Sequence, residues 1–493
     1  MATGAPPPRD SRSNLPSLNP TASFWHSEPS EFLLGHRTTC DLPSIADIVI
    51  VGSGITGSSI ARFLAEDERA NGKTIVMLEA REACWGATGR NGGHCQPLLF
   101  DRGPDVAAFE IRNVRAVKSY VEANSIPCEW RTVSGCRTFW SKELIAEAER
   151  EVMLLKQQAP EIGNLVSVIK DSAELKRYRV KTSCAGATIT EGAGSLWPYK
   201  YVAFVLEKLI KDDRLNLQTT TPVTEISSTL ASPGCGNQSP NGRHTVYTPR
   251  GAITTPTLIL ATNAYTSAIL PSFADLIVPV RGEMSALLPP KHSNLLPNSY
   301  GMVGALNQPA NNDDYLIQRP FSSVPNPAGH LMFGGGRGSC SLPCTGISDD
   351  SVNDEGAAAY LRQALLHVLD LGGEARELEE LEAIQQWTGI MGYSRDNHPW
   401  VGGVPDRAGL WLCGGYTGHG MPNGTLCGKA VVQMALAELD SEDVRLVEER
   451  LVRDGEMPKS YLISQERMER ARNLPTVEVA DRDGTLGKKI TSK

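Results

Sequence analysis

Apolar residues in this chain gather into short, dense runs separated by polar stretches rich in glycine and proline. Asp47-Ile-Val-Ile-Val51 is a β-branched run without polar alternation, the pattern of a strand buried on both faces. It breaks at Gly52-Ser-Gly-Ile-Thr-Gly57 and passes into Ser58–Glu66, where Ile60, Phe63 and Leu64 recur at helical spacing. After the breaker Asn71-Gly72, Thr74-Ile-Val-Met-Leu78 predicts a second strand, ending at Glu79. Strand, glycine turn, helix and strand in that order predict a parallel βαβ unit.

Three stretches carry no such pattern. Residues 1–44 are rich in Pro, Ser, Asn and Arg, with Phe24-Trp25-His26 as the one strong anchor, and predict an arm lying across the surface. Residues 232–243 predict a long hairpin-type loop, and the residues after Pro475 a tail. No repeat of solenoid period is present. At 493 residues with 41% hydrophobic and 21% charged, the chain can bury a large core, which excludes general disorder.

Charge adds one exclusion: 48 Lys+Arg against 56 Asp+Glu gives −8, which argues against a nucleic-acid or anionic-membrane surface. No apolar run approaches the roughly 20 residues of a membrane span. The first 20 residues lack the apolar core of a secretory signal, so a cytoplasmic protein is expected. The eleven cysteines are odd in number and scattered from Cys40 to Cys427. The nearest pair, Cys340 and Cys344, has no second pair beside it for a tetrahedral site, so reduced thiols and no metal are expected.

The glycine turn has the chemistry of a dinucleotide cradle. Gly52 permits the tight turn, Gly54 lets backbone approach a pyrophosphate, and Gly57 lets helix and strand pack closely. Ser53, Ile55 and Thr56 present the amides of a helix N-terminus, which favours phosphate. Glu79 lies about 20 residues past Gly57, where an acid accepts hydrogen bonds from a ribose diol. The residues after Glu79 select the cofactor. Ala80 and Arg81 lead into Gly86-Ala-Thr88-Gly89-Arg90-Asn91-Gly92-Gly93, a small, polar loop suited to the long reach of FAD, where a nicotinamide domain continues into another βα unit.

Here the sequence resembles the FAD-dependent oxidoreductases of the D-amino-acid oxidase/sarcosine oxidase superfamily, and Gly86–Gly93 resembles its γ-glutamylputrescine oxidase branch. Leu258-Ile-Leu-Ala261-Thr262-Asn-Ala-Tyr-Thr266 resembles the strand and turn returning to the FAD domain, and Pro279-Val-Arg-Gly-Glu-Met284 the entry to the substrate domain. Trp387 to Gly402, with Leu410 to Thr425 after it, resembles the segment that places the flavin ring. The likeness spans about residues 45–440. It implies an α/β fold: a Rossmann-like FAD-binding domain (45–105, 181–277 and 386–440) interleaved with a mixed-sheet, α+β substrate domain (106–180 and 278–385). Residues 441–493 would form a helical segment and tail.

The resemblance also implies roles. Ala261, Thr262, Gly415, Thr417 and Gly418 would meet the cofactor, and His419, Gly420 and Met421 would stand at its ring. A helix beginning near Met421, with Pro422 in its first turn, would turn its N-terminal dipole toward the negative charge of the reduced ring. The implied reaction oxidises a C–N bond of an amine or amino acid by hydride transfer to flavin N5. The imine then hydrolyses, and O2 accepts the electrons to give H2O2. A dehydrogenase with another acceptor and a non-catalytic flavoprotein are the alternatives. Arg319, Arg337 and Arg281 are candidate carboxylate clamps, because a guanidinium fork matches a carboxylate. Trp387, Trp197 and Lys200 are further candidates for the pocket wall. The sequence departs from the sarcosine-oxidase pattern at Gly389, where that branch links its flavin to a Cys, and at Pro422, where it carries a Lys. His94 and Cys95 are left as the residues able to approach the flavin 8-methyl.

Overall fold

The computed structural model describes residues 12–229, 243–310, 313–322 and 328–484. The loop expected at 232–243 lies outside these apart from Arg243, as does the chain end after residue 484. Ile48–Val51 is a strand with all four side chains buried. It runs parallel to Ile75–Leu78 on one side and Thr257–Leu260 on the other. Ile48 and Ile50 pack on helices, and Val49 and Val51 on a cluster that includes Val246 and Ile253, which explains the missing alternation. Asn216–Gln218 extends the sheet past Ile75–Leu78, and Leu410–Gly414 past Thr257–Leu260, all in parallel. Trp400–Gly403 closes that edge as the antiparallel sixth strand.

Helix Ile55–Glu66 joins the first two strands and packs against Gly424–Leu439. The two helices approach closely at Gly428, where an added Cβ would stand 3.3 Å from Ile60 Cγ1 and from Thr56 O. Glu225–Thr229, Arg243–Thr248 and Gly251–Thr255 form a small antiparallel sheet beside this layer.

Among the described residues the second large sheet has nine strands. Its order runs Ala383–Ser394, Ile277–Leu287, Leu331–Gly335, Asp313–Gln318, Asn298–Val303, Arg131–Phe139, Gly186–Ser195 and His94–Cys95, with Val166–Ile169 beside Gly186–Ser195. Asn298–Val303 pairs in parallel with Arg131–Phe139, and the other pairings of these strands are antiparallel. A helix-covered parallel sheet beside a mixed sheet is the α/β class expected. The sequence borders shift, however. Gly186–Ser195 and, from residue 386 on, Ala383–Ser394, expected in the first domain, hydrogen-bond within the second sheet.

The amino-terminal arm keeps the anchor expected of it and is not wholly superficial: Trp25 is wholly buried and Phe24 nearly so, in a short 3-10 turn capped by Ser23. Trp25 packs edge-on against Trp197 with ring centres 5.4 Å apart, and its Nε1 donates to Asn91 O. The physical reason is that two large aromatics gain more from burial than the polar residues around them lose, because those residues find backbone partners. Nor is the stretch after Pro475 wholly a tail: Val477–Arg482 is helical, with Val477 buried. Just before it, buried Arg467 pairs with Asp396 at 2.8 Å over the ring of Trp400. All ten described cysteines are free. Among the described residues no helix is long and apolar enough to cross a membrane.

Candidate active site

The glycine turn forms where Ile48–Val51 ends. Gly52 N donates to Leu78 O at 2.8 Å, locking the turn to the neighbouring strand. Its φ of +104° suits glycine alone, and a Cβ there would meet Ala261 O at 2.7 Å. At Gly57 a Cβ would fall 1.9 Å from Gly52 O, so helix and turn are in backbone contact. Glu79 is placed by the turn itself: Oε2 accepts from Ser53 N and Oγ at 3.0 and 2.6 Å, and Oε1 from Arg81 N at 3.0 Å. Thr88 Oγ1 accepts from Ile55 N at 3.0 Å and ties the polar loop to the helix start.

These elements open on a cavity of about 660 Å³, between the carboxyl ends of the parallel strands and the face of the nine-stranded sheet. That position, where strand order reverses about Ile48–Val51, is where open α/β sheets bind ligands. Of the residues selected from sequence, Gly52, Ser53, Gly54, Ile55, Thr56, Glu79, Ala80, Arg81, Thr88, Arg90, Asn91 and Gly92 line it. So do Ala261, Thr262, Thr417, Gly418, His419, Gly420 and Met421, which arrive from the far end of the chain. Gly57, Gly89, Gly93 and Gly415 do not; they pack behind the wall, with Gly89 against Cys84 O and Gly93 against Leu196 O.

Under the polar loop sits a buried cluster. Asp350 accepts from Arg81 Nη1 at 2.9 Å and lies 3.4 Å from Arg90 Nε. Arg90 also donates to Thr388 O at 2.7 Å and to Thr21 O at 2.5 Å. Burial lowers its pKa to about 10 against the pull of Asp350. Arg90 Nη1, Tyr265 Oη and His94 Nε2, all on cavity-lining residues, are buried polar atoms without a partner among the described residues. Such atoms are costly unless a ligand satisfies them, and a phosphate- and amide-rich dinucleotide would. Tyr265 and the arm residues Leu15 and Pro16 also line the cavity, and sequence reasoning misses all three. Tyr265 lies inside the Leu258–Thr266 motif, whereas the arm offers no periodicity to read.

Gly418–Pro422 lines the same cavity with Tyr315, Met391, Tyr393, Arg337 and His94, and a Cβ at Gly418 would stand 3.8 Å from Tyr393 Oη and 3.9 Å from Met391 Sδ. The turn is fixed by Thr417 N donating to Gly392 O at 2.8 Å and Ser394 N to Thr417 Oγ1 at 3.0 Å. The helix begins at Gly424, later than expected, and Pro422 precedes its N-cap Asn423 rather than standing in its first turn. Gly424 N is spent on Gly420 O at 2.7 Å and Leu426 N on Asn113 Oδ1 at 2.8 Å. The donors left near the cavity therefore belong to the turn. His419 is held neutral, its pKa pushed well below the ordinary value by burial and then by Arg102 and Arg137. Burial likewise lowers His94 to about 4 and raises Tyr315 to about 12.

Of the arginines, Arg281 and Arg337 line the cavity and Arg319 does not. Arg281 donates to Glu283 at 3.1 Å and Val352 O at 2.6 Å, and Arg337 lies 5.7 Å from the Tyr393 ring with Asp481 at 3.4 Å. Arg319 is buried under Phe24 and Trp197, its charge matched by two bonds to Glu129 at 3.1 and 2.7 Å. It anchors the arm. Trp387 is also buried away from the cavity, its Nε1 holding Arg90 O at 2.8 Å. Trp197 packs on Trp25, and Lys200 pairs with Glu28. Cys95 is buried with Sγ 3.5 Å from Met421 O and does not line the cavity, whereas His94 does.

Comparison with known families decides what the cradle serves. The family described as FAD dependent oxidoreductase matches residues 47–434. The chain belongs to that family. The enzyme is an FAD-dependent oxidoreductase, and FAD is its cofactor. It is similar to a probable oxidoreductase OrdL of Haemophilus influenzae, 22% identical over 412 residues, covering 80% of this chain and 83% of that one. It is also similar to gamma-glutamylputrescine oxidoreductase of Escherichia coli strain K12, 20% identical over 446 residues and covering 86% and 91%. Among solved structures, glycine oxidase from Geobacillus kaustophilus shares its fold, with a TM-score of 0.61 at 19% identity over 81% of this chain and 96% of that one. In this oxidoreductase the close backbone contacts of the glycine turn and the unpartnered Arg90 Nη1 and Tyr265 Oη supply the chemistry that FAD needs.

Proposed function

We propose that this oxidoreductase oxidises the C–N bond of an amine or amino acid, with O2 as acceptor and H2O2 as product. The observation that carries the reading is the continuity of one cavity. It is lined both by the glycine turn and by Arg281, Arg337, Tyr315, Tyr393 and the Gly418–Met421 turn. A cofactor and a small substrate can thus share one cavity. Two names among the similar proteins, gamma-glutamylputrescine oxidoreductase and glycine oxidase, agree with this class.

FAD, when bound, supplies the two-electron acceptor for the hydride leaving the carbon beside nitrogen. The chain's own residues then have separate tasks. Gly52–Gly57 and Glu79 hold the dinucleotide, with Arg90 and Tyr265 as further donors. Arg337, and Arg281 beside it, hold a substrate carboxylate or a comparable acceptor group. Tyr315 and Tyr393 shape the wall on either side. His94 and His419, both neutral, place no charge in the cavity, so an amine can stay unprotonated there. The Gly420 and Met421 amides, with no partner among the described residues, offer donors for negative charge that accumulates on reduction.

A panel of amines and amino acids, monitored by flavin bleaching without O2, tests the reading. Some member of the panel should bleach the flavin, and Arg337→Gln should raise KM at least tenfold for carboxylated members while sparing simple amines. No bleaching by any amine, with full FAD occupancy, would overturn the assignment. Equimolar H2O2 under air is expected; its absence would favour a dehydrogenase.

A further inference from the structure

The amino-terminal arm reaches the cavity before it reaches its aromatic anchor. Arg12 donates from Nε and Nη2 to the carbonyls of Ser267 and Ala268 at 3.1 and 2.7 Å. Ser13, itself 4% exposed, ties its N–H and hydroxyl to Ser267 Oγ at 2.9 and 3.0 Å. Asn14 N donates to Ser348 Oγ at 2.9 Å. Leu15 and Pro16 come next and form part of the cavity wall. Farther on, Thr21 donates its N–H and hydroxyl to Asp350 O at 2.8 and 3.0 Å.

These tethers fix which end of the cavity the pair covers. Ser267 and Ala268 lie just past the carboxyl end of strand Thr257–Leu260. Asp350 is paired with Arg81, two positions beyond Glu79. Through Arg81 and the strand beside Ile48–Val51, both anchoring points of the arm thus adjoin the part of the cavity lined by the glycine turn and Glu79. Leu15 lines the cavity and stays 37% exposed, which leaves an apolar side chain free to pack on a ligand there.

We propose that Leu15 and Pro16 form an apolar cover over the adenosine half of bound FAD, latched by Arg12 and Ser13. The amino-terminal arm thereby becomes part of the cofactor site. An adenine ring has broad apolar faces, and covering one removes it from water. Proline's fixed φ and the four tethers hold the cover in place beforehand, so little ordering remains when the cofactor docks. The cover touches no reacting atom; its effect falls on how long FAD stays.

The test uses the full chain carrying Leu15→Ser/Pro16→Ser, or Arg12→Ala/Ser13→Ala, with Leu18→Ser as a control at an 81% exposed position of the same arm. FAD release is measured by recovery of free-flavin fluorescence after dilution, and ADP binding to the deflavinated chain by calorimetry. Both double variants should release FAD about tenfold faster and bind ADP about tenfold more weakly, equivalent to about 1.4 kcal/mol. Leu18→Ser should match wild type in FAD release, ADP binding and flavin reduction. Unchanged release in Leu15→Ser/Pro16→Ser overturns the proposal. So does faster release with ADP binding intact, which would put the arm over the wrong half of the cofactor.

Discussion

Asp350→Asn probes the buried charge cluster beneath the cofactor loop. Asp350 is fully buried between Arg81 at 5% and Arg90 at 2% exposure. Arg81 Nη1 reaches both carboxylate oxygens, at 3.1 and 2.9 Å, while Arg90 Nε stays at 3.4 Å. Asparagine keeps the volume and one acceptor but removes the charge that both guanidiniums share. Breaking a buried pair in this way costs about 3–5 kcal/mol, because the remaining charge is left uncompensated. Two considerations pull within that range. A second guanidinium raises the cost through like-charge repulsion. Against it, Arg81 keeps Trp85 O at 2.8 Å, and Arg90 keeps Thr388 and Thr21. Urea unfolding of the FAD-loaded protein at neutral pH should show the loss as a lower midpoint at unchanged slope. Arg81→Met/Asp350→Leu should recover part of it, since removing both partners leaves less unpaired charge. A loss below about 1 kcal/mol in Asp350→Asn is the range of a solvated surface pair and would refute the reasoning.

Other expectations are as direct. Gly57→Ala places a methyl 1.9 Å from Gly52 O, a backbone atom that cannot yield, so FAD content on purification should collapse and stability fall by about 1–3 kcal/mol; normal FAD content would contradict it. Trp25→Ala empties a fully buried site against Trp197 and should cost about 3–5 kcal/mol, read as a lower melting temperature, whereas a surface ribbon would leave it unchanged. His26, His94 and His398 are held neutral chiefly by burial, their pKa values lowered to about 3, 4 and 4. The unfolded chain takes up these protons near pH 6.5 and the folded chain only near its lowered values. Stability is thus complete above about pH 6.5 and lost as pH falls toward 4, by up to about 1.4 kcal/mol per unit for each histidine. His94→Asn should flatten the fall of melting temperature between about pH 6.5 and 4.5, and an unaltered slope would count against the assignment.

The cofactor half of the site is legible in the sequence because its signals are local. The run Ile48–Val51, the three glycines and Glu79 lie within one βαβ unit, and each is positioned by residues close in sequence. The substrate half is less so. Nothing around Arg319 and Arg337 distinguishes them; their surroundings come from Glu129 and Asp481, far along the chain. Gly186–Ser195, expected in the FAD-binding segment 181–277, joins the other sheet as a strand through pairing with Arg131–Phe139. The arm escapes sequence reasoning for the same cause. Burial of Trp25 depends on Trp197 and Asn91, which no periodicity in a proline-rich segment reveals.

The pairing order of the parallel sheet also bears on how the protein is made. Ile48–Val51 pairs with Thr257–Leu260, which in turn pairs with Leu410–Gly414. A ribosome adding 5–20 residues per second leaves roughly 20–70 s between emergence of the first strand and the last. Throughout that interval a wholly apolar strand waits with an open edge, a standing invitation to other nascent chains. Cofactor contacts from Gly418–Met421 cannot help before Leu410–Gly414 has emerged, because they follow it in the chain. Slower initiation and holdase chaperones should raise the yield of yellow protein more than extra riboflavin in the medium does.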